Sequence, residues 1–343
     1  MRPMRFIDCH AHLVPPHVAL DDIAAAVEAC AKEHVYVIAV TESVSEWPTL
    51  QQLWNHGAVN RGATNSEAIG TPRNLGSPTH NHYHAQVALC GGVHPVQPNE
   101  AYTEAALNQS PNDIPSTLPK VRAVRIDECT SAWSQALPTQ LPNHPEWVGI
   151  GEVGLDYSPH VLRLAGPEPS KAAQRQVFVQ QIQLAQRCQL PLNVHSRQAG
   201  RYALDLIETH YGSIPSGQAA GASTLHAIPV LLHAFDGKPS VVRRGLALGC
   251  YFSIPPAVAF DPTFQRLAQL VPLDRLVLES DTPALGPVPQ QPNTPTSVKS
   301  SAEHIAQVKG LTLAQVADAT TRNALRLFPR LRALWPWAND YDL

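Results

Sequence analysis

Six side chains of metal-ligand type carry the chemistry this chain could perform. His10 and His12 stand two residues apart in Asp8-Cys9-His10-Ala11-His12, and Glu152, His195, His233 and Asp281 follow singly along the chain. Imidazoles and carboxylates hold divalent ions such as zinc, manganese or magnesium. Four histidines, a glutamate and an aspartate, if brought together, suit two cations sharing one carboxylate, a pairing that activates water for hydrolysis. A lone histidine at a strand end is usually a satisfied structural residue. The set becomes informative only if separate elements deliver it to one place.

Those elements are legible as alternating strands and helices. Eight short apolar runs read as strands: Arg5–Cys9, Val35–Thr41, Gln86–Val93, Trp147–Glu152, Leu192–His195, Val230–Ala234, Cys250–Ile254 and Arg275–Glu279. Amphipathic stretches at Asp21–Glu33, Ser170–Gln189, Gly200–His210, Pro239–Leu246, Thr263–Leu270, Ala302–Lys309 and Thr312–Phe328 read as helices. Strand–helix alternation implies an α/β fold with parallel strands, and eight repeats imply a closed (β/α)8 TIM barrel. No Gly-rich phosphate turn follows the first strand, as an open doubly wound sheet would require. Every candidate ligand then lies at a strand's C-terminal end, where such barrels build active sites. Residues two apart in a strand share a face, so His10 and His12 are expected to enter the barrel mouth together. The 343 residues fit one TIM-barrel hydrolase domain over 1–343, with its core over about 5–328. Three Pro-rich insertions, at about 56–84, 108–146 and 213–228, carry turn-forming residues and no expected regular structure.

The same order sorts the other histidines. His80, His82 and His84 precede strand three, His144 precedes strand four and His226 precedes strand six, so all five belong at the opposite end. His94, in Gly91-Gly92-Val93-His94-Pro95, follows strand three, where a non-ligand histidine could hydrogen-bond a phosphate oxygen. A net charge of −3 argues against a protein that coats nucleic acid nonspecifically. It leaves room for a nuclease whose bound cations supply positive charge locally. The six cysteines are scattered without a Cys-x-x-Cys pair and read as small buried hydrophobes in a reducing compartment. With no apolar span of membrane length and no signal-type segment, the expected location is cytoplasmic.

The motifs together resemble the TatD family of metal-dependent deoxyribonucleases. They are Asp8-x-His10-x-His12, Gly92-Val93-His94-Pro95, Gly151-Glu152-x-Gly154-Leu155-Asp156, Val194-His195-Ser196-Arg197, Leu232-His233-Ala234-Phe235-Asp236-Gly237 and Glu279-Ser280-Asp281-x-Pro283. Gly92–Gln97, Arg175-Gln176-Val177, Asn193–Arg197, Phe252–Pro256 and Ala302–Gly310 are especially similar to the subgroup called TatD DNase domain-containing protein 3. Many relatives have Glu-Thr-Asp where this chain has Glu279-Ser280-Asp281, which keeps the hydroxyl. The resemblance implies that His10, His12, Glu152 and Asp281 hold one metal, and that Glu152 bridges to a second completed by His195 and His233. It further implies metal-dependent DNA hydrolysis, as 3'-5' exonuclease action, abasic-site cleavage or both. The expected partner is therefore DNA, single-stranded, met at an end or a lesion, with no membrane involved and with DNA repair among the processes served. In that reading a water activated by two cations attacks the phosphodiester and Asp281 accepts its proton. His94 and Arg197 are candidates to contact the phosphate, and Arg197 equally to form a structural salt bridge. Asp8 and Asp156 orient ligands by hydrogen bonds. Imidazole ligands favour zinc or manganese, whereas the family is commonly described as magnesium-dependent. The alternative is an amidohydrolase acting on a small amide or ester. Many of those bridge their metals with a modified lysine on strand four, where this chain has Glu152.

Overall fold

The computed structural model describes residues 3–15, 17–59, 86–110, 113–129, 137–139, 141–211 and 228–343. His80, His82, His84 and His226, and nearly all of the first and third insertions, lie outside the described residues.

Eight parallel strands close on one another in chain order. They are β1 (Phe6–Ala11), β2 (Val35–Val40), β3 (Val87–Cys90), β4 (Trp147–Gly154), β5 (Leu192–His195), β6 (Val230–Leu232), β7 (Tyr251–Ile254) and β8 (Leu276–Leu278). Closure is made by β8 against β1, with Asp8 opposite Leu278. Every residue of β1, β2 and β4 is buried, which is why these runs are near-continuously apolar: helices cover the outer face and the barrel lumen the inner.

The two faces form separate cores. Val37, Leu89, Leu192 and Leu276 pack outward beneath the helices. Ile7, Ile38, Cys90, Leu231 and Val277 pack with Phe328 and Trp335. The helix Leu313–Leu327 begins with a capping box between Thr312 and Gln315. It crosses the end where strands start: Thr321 Oγ1 donates to the Arg5 carbonyl, and Asn323 Nδ2 donates to those of Leu273 and Leu276. The segment after Phe328 completes this floor, with Trp335 only 1% exposed. The opposite end is left to the loops that follow the strands.

Several local expectations needed correction. The second insertion is not without regular structure. Val121–Ala123 pairs antiparallel with Val96–Pro98, and 3₁₀ turns follow at Ile126–Cys129 and Leu141–Asn143. Strands of three residues are too short for alternation to reveal. Two helices, Trp47–Val59 and Glu100–Asn108, also escaped the pattern. In the first, Trp47 stacks on Trp147 at 4.2 Å on the outer face of the barrel. Strand β4 runs past Glu152 to Gly154, and the long helix starts at Pro167 rather than Ser170. Proline is tolerated in a first turn because its missing N–H has no partner there.

Candidate metal centre

Four strand ends and the β1 terminus place the six expected ligands in one cluster. On β1 simple alternation does not suffice: the register against β2 shifts between Asp8 and Ala11. The Cys9 carbonyl there accepts from Asn193 Nδ2 across the barrel, at 2.9 Å. A bulge of this kind re-aims side chains at a sheet rim. On β4, Gly154 sits at φ +139°, and a Cβ there would come within 2.0 Å of the His195 carbonyl. Glycine thus lets β4 and β5 approach where Glu152 and His195 meet. Asp281 is left-handed at φ +52°, held by its N–H to the His10 carbonyl at 2.9 Å. Backbone strain at such a residue marks a constrained site.

The spacing of the ligand atoms is informative. His10 Nε2 lies 3.3 Å from His12 Nε2, 3.3 Å from Glu152 Oε2 and 3.6 Å from Asp281 Oδ1. His12 Nε2 lies 3.4 Å from Glu152 Oε2 and 3.3 Å from Asp281 Oδ1. Hydrogen-bonded pairs settle near about 2.9 Å. Donors at roughly 2.0–2.2 Å from one tetrahedral ion stand about 3.3–3.6 Å apart. These five separations suit donors around a divalent cation better than they suit hydrogen bonds. The other oxygen, Glu152 Oε1, faces His195 Nδ1 at 2.9 Å, His233 Nε2 at 2.7 Å and His94 Nε2 at 3.3 Å. Glu152 thus divides its carboxylate between two groups of histidines, as a bridging ligand must.

Buried charge in this cluster is balanced within it. Burial opposes ionisation of Glu152, yet His94, His233 and His10 hold its carboxyl well below the usual range. Asp281 is lowered against burial by His12, His10 and His233. Burial would lower His12 and His94 too, but Asp281, Glu152 and Glu42 carry His12 up to about 9, and Glu152 chiefly does the same for His94. Without cations, protons occupy the places that positive charge must fill.

Neighbouring residues fix the histidine rings. Asp156, drawn down to about 2 by His195 despite burial, lies 3.1 Å from His195 Nε2. Asp8 bonds no ligand side chain; its Oδ1 accepts from the backbone N–H groups of Ser280 and His10 and so ties β1 to the segment after β8. Burial pushes the Asp8 carboxyl well up. Two residues the sequence reading passed over belong here. Asn193 Oδ1 is 2.9 Å from His10 Nδ1. Glu279 accepts from Ser253 Oγ at 2.6 Å and from the Ala234 N–H at 2.9 Å, and lies 3.6 Å from His233 Nδ1. Each sits two residues before an expected ligand; on β5, strand alternation could have found Asn193.

The remaining candidates divide. His94 is at the expected end, its Nδ1 engaged with the Val96 backbone and its buried Nε2 without a hydrogen bond. Arg197 is exposed and makes no ion pair among the described residues. It lines a cavity of ≈ 310 Å³ beside His195, His233 and Asp236. His144 lies before β4 and pairs with Glu146 at 2.8 Å, away from the cluster.

Comparison with known proteins shows the family and the fold. The family model described as TatD related DNase matches residues 7–329. Deoxyribonuclease TATDN3 of Homo sapiens is 38% identical over 331 residues, covering 96% of each chain. The uncharacterized metal-dependent hydrolase YabD of Bacillus subtilis is 32% identical over 212 residues, 61% of this chain and 74% of that protein. Among solved structures, the TatD homolog YJJV of Escherichia coli superposes with a TM-score of 0.61 at 19% identity, covering 96% of this chain and 99% of that one. Bridged histidine clusters, an eight-stranded barrel and a match running almost end to end lead to one assignment: the chain belongs to the TatD family of metal-dependent hydrolases.

Proposed function

We propose that this protein hydrolyses phosphodiester bonds of DNA at its barrel mouth, using two divalent cations. His10, His12, Glu152 and Asp281 hold one, and His195 and His233 complete the other with Glu152 as the shared ligand. When bound, the pair lowers the pKa of water, orients the phosphate and offsets charge on the leaving oxygen. The protein's side chains do the rest. Asp281, kept ionised by its histidine neighbours, accepts the proton from the attacking water. Arg197, unpaired at the mouth, offers a two-pronged contact to a phosphate, and His94 supplies a second contact through Nε2. Asp156, Asn193 and Glu279 hold His195, His10 and His233 in orientation.

The observation that carries this reading is the spacing of the ligand atoms around His10 and His12, at 3.3–3.6 Å longer than the usual hydrogen bond and suited to donors around an ion. The human relative's name supports DNA as the substrate class. Single-stranded ends, as a 3'-5' exonuclease meets them, and abasic lesions are the substrates to try first. Zinc and manganese suit the imidazole-rich set better than magnesium does. A cytoplasmic site of action, in repair or in degradation of DNA ends, accords with six free cysteines.

The test is cleavage of end-labelled single-stranded, duplex and abasic oligonucleotides, with chelator and with added Mg, Mn or Zn. Metal-dependent cleavage abolished in Asp281→Asn is the expected result. No cleavage by a protein shown to hold two metals would sink the nuclease reading. Amide and ester substrates would then be tested, although β4 lacks the bridging lysine common among amidohydrolases.

A further inference from the structure

Beside the central cluster, on the wall formed by the loops after β1 and β2, lies a second group of ligand-type side chains. His17 Nε2 is 3.6 Å from Glu42 Oε2 and 3.7 Å from Glu46 Oε1. Glu42 Oε1 in turn lies 3.7 Å from His12 Nδ1. The ligand atoms of His12, His17 and Glu42 all fall within 4.8 Å of one another. These separations exceed hydrogen-bond length and approach the spacing of donors around one ion.

The group is built rather than incidental. The Glu46 carboxylate is anchored by the Glu42 N–H at 2.8 Å and by Ser43 Oγ at 3.2 Å. The Glu42 carbonyl accepts from the His94 N–H and from Gln97 Nε2, which pins the backbone. The Glu42 carboxylate itself accepts no hydrogen bond among the described residues. Two carboxylates turned toward one imidazole nitrogen leave negative charge that one histidine cannot balance when neutral.

A separate observation points the same way. The His12 side chain is only 8% exposed, and its Nδ1 is buried without a hydrogen-bond partner while facing Glu42. If Nε2 gives its lone pair to the centre, Nδ1 carries the proton, and Glu42 Oε1 is the acceptor toward which it is aimed. His12 is then the partition between the two groups, and Glu42 touches both.

We propose that His17, Glu42 and Glu46 hold a third divalent cation at the rim of the mouth. The mixed imidazole and carboxylate donors suit zinc or manganese. Among the described residues, Glu42 and Glu46 both face His17 Nε2, and a further position toward the mouth would take an anionic oxygen such as one from a phosphate. The site shares one premise with the proposed function, that His12 serves the centre through Nε2. It does not depend on DNA being the substrate.

Metal counting tests it. The full chain is loaded with Zn or with Mn, freed of excess by gel filtration and measured by elemental analysis, with folding checked by circular dichroism. The expected ratio is about three ions per chain in the parent and about two in His17→Ala and in Glu42→Gln. His195→Ala, which strikes the central pair alone, reports on that pair separately: it should lower the count while leaving a further loss on adding His17→Ala. A parent ratio of two or fewer overturns the rim site, as does a ratio of three retained in both His17→Ala and Glu42→Gln.

Discussion

Asn193→Ala should weaken metal binding far more than its distance from any cation would suggest. Asn193 is fully buried, with Oδ1 2.9 Å from His10 Nδ1 and Nδ2 2.9 Å from the Cys9 carbonyl. His10 can turn the Nε2 lone pair to the centre only if Nδ1 is the protonated nitrogen, and Asn193 Oδ1 is the acceptor that selects this tautomer. Because Nδ2 is committed to Cys9, the amide cannot flip. Alanine removes both bonds, leaving the ring free to rotate and a donor and a carbonyl unpaired in the lumen. Losing such a partner typically costs ~10–100-fold in metal affinity, or about 1.4–2.7 kcal/mol. Two orphaned polar groups at about 1–3 kcal/mol each add roughly 2–6 kcal/mol of lost fold stability. Affinity would be read by competition with a chromophoric chelator, and stability by denaturant unfolding of the metal-free chain. A folded Asn193→Ala that binds zinc within about twofold of the parent would refute the argument that Asn193 sets the His10 tautomer.

Other outcomes follow from the same contacts. Asp281→Asn keeps the fold, since its backbone N–H still reaches His10, but turnover should fall at least about 100-fold, checked by initial rates on a labelled oligonucleotide. Glu279→Gln replaces the carboxylate behind His233 and should weaken binding of one ion by ~10-fold, seen as a lower metal content after dialysis. In the metal-free chain, His12 and His94 are raised from 6.5 to about 9, so their contribution to stability is complete below about 6.5 and disappears as pH rises through about 9. Unfolding midpoints of the metal-free chain should therefore drop between neutral pH and pH 9.5, whereas metal binding at neutral pH should release protons, measurable by calorimetry in buffers of different ionisation enthalpy. Gly91→Ala would drive a Cβ to 1.7 Å from Trp47 Cζ2, disturbing the Trp47–Trp147 stack at a cost of about 1–3 kcal/mol in denaturant unfolding.

The barrel, and the strand ends at which the six expected ligands converge, were legible in the sequence because both follow from the order of elements. Strand and helix alternation sets the order of elements, and position at a strand's C-terminal end sets which side chains reach the mouth. Local chemistry likewise separated His94 from His144, one after its strand and one before. Regular periodicity could not foresee the β1 register shift, which depends on pairing with β2. Nor could it show the ribbon Val96–Pro98 with Val121–Ala123, whose three-residue strands are too short for alternation to reveal. Asn193 and Glu279 were visible as strand residues, but their partners lie 183 residues away for His10 and 26 for Ser253. The rim group is the extreme case. His17 sits in a loop and Glu46 ends the short 3₁₀ turn Val44–Glu46, and only the closed barrel, which sets the ends of β1 and β2 side by side, brings His17 to Glu42. Sequence determined which residues could serve a metal; tertiary packing decided which nitrogen of each histidine faces the cluster.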